Sequence, residues 1–332
     1  MKILRALSVL ALLVIASGPV LALTADEVNT ATFGEASKEA PKPAAKDAKK
    51  PDPLIVAAQV LLSRRSISPG VIDGMDGENY HKAIAQFRRQ NALGDGDQLD
   101  EPTWFALGIG SAGPLVVEYI LTKKDARTRF ARRIPRDYAK QARMTRLAYT
   151  SPVEMFAERF HMSEGLLKAL NPKADFRKVG QKILVASVVR EVPTAKAERL
   201  EANKTTGMLI VYGPANAILA SYPATIGSSE TPSPTGEHTI KRIARNPTYH
   251  YDPEKNFQQG RNKRKLVLPS GPNNPVGTVW IALSKPTFGI HGTPEPSQVS
   301  KTSSHGCIRL TNWDAEELAG IVKPGLTVRF VD

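Results

Sequence analysis

Met208-Leu209-Ile210-Val211-Tyr212, the turn residues Gly213-Pro214, and then Ala217-Ile218-Leu219-Ala220-Ser221-Tyr222 decide the fold of the C-terminal part of this chain. Two runs of strand length around a Gly-Pro turn spell a β-hairpin. Thr239-Ile240 and Thr278-Val279-Trp280-Ile281-Ala282-Leu283 add strands, and Leu326 to Val331 forms another. Asn312-Trp313-Asp314-Ala315-Glu316-Glu317-Leu318 reads as the start of a late helix. Many short strands with one helix imply a predominantly β domain over 194–331, either a sandwich or a partly closed barrel.

Upstream of the hairpin, Glu191 to Thr206 is a polar connector. Before it, residues 147–188 read as strand, two helices and strand, an α+β unit. Tyr149-Thr150-Ser151 precedes a helix with Met155, Phe156 and Phe160 on one side. Leu166, Leu167 and Leu170 mark a second helix ended by Asn171-Pro172, and Gly180 to Val185 closes as a strand. Met155 and Phe156 read as core, and His161 as structural. Residues 111–146 form a basic connector, with ten Lys or Arg between 123 and 146 against Asp125 and Asp137. Such a run reads first as a solvated surface and second as a contact to an anionic polymer.

Further upstream, 53–110 reads as a small all-α module of three helices. Ile55, Ala58, Leu61 and Leu62 have helical spacing, as do Ala83, Ile84 and Phe87. Asp100 is the expected N-cap of the third helix, with Pro102 in its first turn. Residues 23–52, rich in Ala, Lys and Pro, read as a flexible tether. Residues 1–22 read as a signal peptide, with Lys2 and Arg5 before an apolar run and Val20-Leu21-Ala22 at the cleavage end. An uncleaved anchor is the alternative; with cleavage, no transmembrane segment follows. The chain is therefore expected to be exported, in the periplasm or cell wall. Its formal charge of +13 attracts polyanions, and export favours envelope polymers over nucleic acid.

The sequence holds one cysteine, Cys307, within Ser303-Ser304-His305-Gly306-Cys307-Ile308-Arg309-Leu310. A single thiol closes no intramolecular disulfide, and with histidines at 291 and 305 it is a candidate nucleophile. A buried free cysteine acting as a small hydrophobe is the bland reading, but the polar Ser-Ser-His-Gly run reads as an exposed turn. His291, from a separate segment, suits the base, with His305 supporting the site. Gly306 permits a tight turn that would aim the amides of Gly306 and Cys307 at an oxyanion. Ser304 offers a hydroxyl to orient a histidine or the substrate, and Arg309 is placed for a substrate carboxylate. A zinc site of His291, His305 and Cys307 is the competing reading, with no Asp, Glu or further Cys to complete it. No metal and no cofactor are expected.

Three resemblances follow from these residues. Val71-Ile72-Asp73-Gly74, Ala83 with Phe87, Gly96 with Leu99-Asp100, and Thr103-Trp104 with Leu107 resemble the three-helix peptidoglycan-binding module, although Arg88 stands where that family usually has Gln. Tyr149-Thr150, Ala157 with Phe160, Leu167, Leu170-Asn171-Pro172 and Gly180-Gln181-Lys182-Ile183 resemble a LysM module, a glycan-binding unit. His291-Gly292-Thr293 and Ser304-His305-Gly306-Cys307-Ile308-Arg309, together with Tyr222-Pro223, Ile226-Gly227 and Gly271 to Gly277, resemble the YkuD-type L,D-transpeptidases.

The last resemblance implies Cys307 as nucleophile and His291 as proton donor and acceptor, with the Gly292 carbonyl orienting the imidazole. It implies Ser304, His305 and Gly306 around the oxyanion hole. The implied reaction is acyl transfer on peptidoglycan: attack on the diaminopimelate–D-alanine bond of a tetrapeptide stem, then transfer to an amine. A second stem gives a 3-3 cross-link; an envelope protein gives attachment. Water as acceptor would make an L,D-carboxypeptidase or endopeptidase, and a catalytically dead wall-binding protein is a further alternative. Stem peptides and glycan strands are the expected partners.

Overall fold

A computed structural model describes residues 23–34, 50–189, 195–228, 231–255, 257–304 and 306–332. The expected signal peptide, half of the expected tether and His305 lie outside the described residues.

The N-terminal unit spans the residues expected as 53–110, 111–146 and 147–188. One hydrophobic core runs through it, joining Val56, Leu61, Ile84, Phe87 and Trp104 to Phe156, Leu167 and Ile183. Helices α2 (Pro53–Arg64), α3 (Glu78–Gln90) and α4 (Glu101–Ala106) hold the first group. Asp100 accepts from the Thr103 amide at 2.9 Å, capping α4. Arg88 binds Asp100, Thr103 Oγ1 and the Leu93 carbonyl, so it pins the loop between α3 and α4.

Helices α7 (Pro152–Arg159) and α8 (Glu164–Leu170) hold the second group. The strand expected at Tyr149-Thr150 is not formed. Its place beside β2 (Lys182–Ala186) is taken by β1 (Val116–Ile120), in antiparallel register from Val116↔Ala186 to Ile120↔Lys182. The basic run is thereby inserted between β1 and α7. The start of the expected tether is also folded. Thr24 and Glu27 form a capping box on α1 (Ala25–Asn29), Leu23 and Val28 are buried, and the Asn29 side chain bonds the backbone of Leu115 and Val116.

The C-terminal domain is predominantly β, as expected. Its nine-stranded sheet contains β3 (Arg199–Asn203), β4 (Met208–Tyr212), β5 (Ile218–Pro223), β6 (Thr225–Ile226), β7 (Gly236–Arg245), β10 (Val279–Leu283), β11 (Gly289–His291), β12 (Ile308–Arg309) and β13 (Thr327–Val331). The order is β5-β4-β3-β13-β7-β10-β11-β12-β6. The two edge strands, β5 and β6, follow one another in the chain across Ala224 alone, so the sheet nearly closes on itself. The opening hairpin is β4–β5. Helix α9 (Asn312–Ile321), capped by Thr311, packs Ala315 and Leu318 into the core with Leu200, Val211, Ile281 and Ile290. A separate two-stranded hairpin, β8 (Tyr249–Tyr251) and β9 (Leu266–Leu268), stands beside the sheet.

The N-terminal unit docks on this domain along a continuous seam. Ile67 bridges Ser221 of the edge strand β5, with backbone bonds Ser68 N to Ser221 O and Ser221 N to Ser66 O, both 2.8 Å. This occupies donors and acceptors that an edge strand otherwise exposes. Ser68 Oγ donates to Asp314 at 2.8 Å, and His161 stacks on Trp313 with ring centroids 5.2 Å apart. His161 therefore has a structural place, at the seam.

Candidate active site

Strand alternation puts successive side chains on opposite faces of a sheet. In β10 to β12, Ile281, Ile290 and Ile308 face the apolar core. Their neighbours Trp280, His291 and Arg309 take the other face, and the register pairs Trp280 with His291 and His291 with Arg309. The Trp280 and His291 rings stack at 5.6 Å and 24°. Cys307 lies two residues before Arg309, so it belongs to this second face. Cys307, His291, Trp280, Ser304 and Arg309 all line one cavity of about 460 Å³.

His291 is buried, and its Nδ1 lies 2.6 Å from the Gly292 carbonyl. A carbonyl only accepts, so Nδ1 carries the proton and Nε2 keeps a free lone pair. Burial, then the Arg309 charge, lowers the imidazole to about 4, so it is neutral at pH 7. Cys307 is half-exposed to the cavity and its thiol points to the Thr287 carbonyl at 3.7 Å. Desolvation pushes the thiol up to about 11, outweighing a Gly289 backbone hydrogen bond and the Arg309 charge. The resting site thus holds a neutral thiol and a neutral imidazole rather than an ion pair.

The turn into Cys307 is fixed by backbone bonds. Ser304 Oγ donates to the Cys307 carbonyl at 2.6 Å and accepts from the Gly227 amide at 2.8 Å. Its hydroxyl therefore shapes the turn. Thr231 Oγ1 donates to the Ser304 carbonyl at 2.9 Å. Gly306 has φ +93°, and a Cβ there would meet Phe288 at 2.6 Å, so only glycine fits the turn. Arg309 lines the cavity and makes one long bond to Thr302, at 3.4 Å.

Gly292 touches the seam. A Cβ on it would lie 2.2 Å from Asn312 Oδ1, which accepts from the Thr278 amide at 3.1 Å. Asn312 Nδ2 donates to both oxygens of Glu158, on α7 of the N-terminal unit, at 3.2 and 3.0 Å. Burial, aided by Glu154 and Glu316, raises Glu158 to about 8. The residue that orients the imidazole therefore rests against a side chain held from the other half of the molecule.

Sequence reasoning missed Trp280, Tyr138, Asn312 and Glu158. Trp280 was legible: it alternates with Val279 and Ile281, so it had to share the face opposite the core. Tyr138, inside the basic run, gave no such signal.

The family model of the L,D-transpeptidase catalytic domain, YkuD, matches residues 197–330. The YkuD protein of Bacillus licheniformis is 30% identical over 178 residues, 53% of this chain and 91% of that protein. YkuD of Bacillus subtilis (strain 168) is 35% identical over 113 residues, 34% of this chain and 54% of that protein. ErfK/SrfK of Escherichia coli K12 is 27% identical over 188 residues, 55% of this chain and 60% of that protein. The chain thus spans little more than half the length of two of these three curated relatives. With Cys307 and His291 both inside the matched residues, and with nearly the full length of the Bacillus licheniformis protein covered, the chain belongs to the YkuD family of L,D-transpeptidases.

Proposed function

We propose that the protein is an exported L,D-transpeptidase acting on peptidoglycan stems, with Cys307 as nucleophile and His291 as the proton carrier. Because thiol and imidazole both rest neutral, His291 Nε2 takes the Cys307 proton as sulfur attacks the diaminopimelate carbonyl. The amides of Gly306 and Cys307 receive the developing oxyanion. His291 then returns the proton to the departing amine, D-alanine leaves, and a thioester remains on Cys307. An incoming amine gives its proton to His291 and takes the acyl group, and that proton restores the thiol. The amine comes from a second stem, giving a 3-3 cross-link, or from an envelope protein.

The observation that carries this reading is the shared face. His291 is held by its Nδ1 bond on the same sheet surface and cavity as the chain's one thiol, and among the described residues no protein group bonds its Nε2. The N-terminal unit serves in this proposal as the wall-binding half, raising the local concentration of the catalyst on its polymer. The test is D-alanine release from a tetrapeptide stem by the full chain. Cys307→Ala is expected to abolish it, and His291→Ala to lower it by about 100-fold or more. Release that survives in Cys307→Ala would refute the assignment.

A further inference from the structure

The basic run does not stay with the N-terminal unit. After α5 (Lys123–Ala126) it crosses to the β domain, where α6 (Tyr138–Gln141) lies against the β8–β9 hairpin. Ile134, Tyr138, Ala142 and Met144 pack on Leu147, Tyr251 and Leu268. The Tyr138 amide donates to Gln259 Oε1 at 3.1 Å, and Gln259 Nε2 donates to the Arg136 carbonyl at 2.9 Å. The segment is locked at its far end by Leu147 N to Ser270 O and Asn273 N to Leu147 O, both 3.0 Å.

This docking sets one ring in the catalytic cavity. Tyr138 lines the space that holds Cys307, His291 and Arg309, although it lies well outside the 197–330 family domain. Its ring is gripped edge-on by Tyr251 and Tyr249, at 5.3 and 5.9 Å, and by Phe257 at 6.2 Å. An aromatic side chain clamped on several sides loses little further freedom on binding. Among the described residues no protein group hydrogen-bonds its hydroxyl. Burial raises that hydroxyl to about 12, so it stays a donor at neutral pH. The cavity thereby offers the Tyr138 O–H donor together with the Arg309 guanidinium and the Lys255 ammonium, a set that suits a carboxylate.

We propose that Tyr138, supplied from outside the family domain, is a substrate-binding residue of the catalytic cavity that joins Arg309 in holding a carboxylate of the stem peptide. This rests on reading Cys307 as acting on peptide stems.

Binding is measured on full-chain Cys307→Ala with a tetrapeptide stem ending in diaminopimelyl-D-alanine. Adding Tyr138→Phe, which keeps the ring and its packing, is expected to weaken Kd about tenfold with the melting temperature unchanged. Binding within about twofold of the parent would overturn the proposal. A second arm needs no stem: alkylation of Cys307 in the otherwise unaltered chain by iodoacetate and by neutral iodoacetamide. The iodoacetate-to-iodoacetamide rate ratio is expected to fall severalfold in Tyr138→Phe, since that change removes a carboxylate donor without altering charge. An unchanged ratio overturns the proposal. If the Cys307→Ala parent binds no stem while the ratio still falls, the stem assignment fails and the carboxylate site stands.

Discussion

Three neighbouring strands, β10 to β12, bring Trp280, His291 and Arg309 together by alternation and register, with Cys307 just ahead of the last. The N-terminal unit reaches the same cavity only by docking, through the seam at Glu158 and the loop that carries Tyr138. The first arrangement is local: each functional residue is opposed to an isoleucine of the core, so the packing that builds the sheet also orients the chemistry. The second depends on contacts between residues more than a hundred positions apart, such as Asn312 with Glu158. Register thus fixes which face a side chain takes, and docking fixes what stands against that face.

The strongest way to break this contrast is at Gly292, where the two arrangements meet. Gly292→Ala sets a methyl group against Asn312 Oδ1, which bonds to Thr278 and Glu158 hold in place. Overpacking of this kind costs about 1–3 kcal/mol. Displacing the carbonyl that orients His291 is expected to lower D-alanine release about 100-fold. Melting curves and stem turnover check both; a variant with parental turnover would show that the imidazole does not depend on this contact.

A milder change sharpens the docking side. Glu158 is raised from an ordinary 4.5 to about 8 by burial. Between those values the folded chain holds a proton that the unfolded chain has released, so stability falls as pH rises through this window. The slope is at most about 1.4 kcal/mol per pH unit. Below 4.5 the contribution is fully present. His291, lowered to about 4, has the opposite sign: its neutral folded form favours stability above its ordinary 6.5 and loses that as pH falls toward 4. Over pH 6.5 to 8 the Glu158 slope stands without the His291 term. Glu158→Gln is expected to flatten thermal stability across that range while the parent chain weakens. Parallel curves for the two would contradict a protonated Glu158 at the seam.

The same contrast explains what the sequence made legible. The β4–β5 hairpin, the Asp100 cap and the helical stripes of α2 and α3 are short-range patterns, and each is present in the structure. Cys307, His291 and Arg309 stood out through spacing within single segments. The strand Val116–Ile120 did not, because its partner lies more than sixty residues later and a run of Lys and Arg follows it. The expected connector at 111–146 therefore concealed both a strand of the N-terminal sheet and the ring that enters the cavity. The bond from the Ser304 hydroxyl to the Cys307 carbonyl, which closes the turn, is one that composition and spacing do not encode.

The most direct test of the acyl-transfer account is the mass of the full chain, quenched in acid shortly after mixing with a tetrapeptide stem. The account predicts an adduct equal to the stem minus D-alanine, mapped by peptide digestion to Cys307 and absent from Cys307→Ala. An adduct on another residue, or D-alanine released with no covalent intermediate on the thiol, would contradict it.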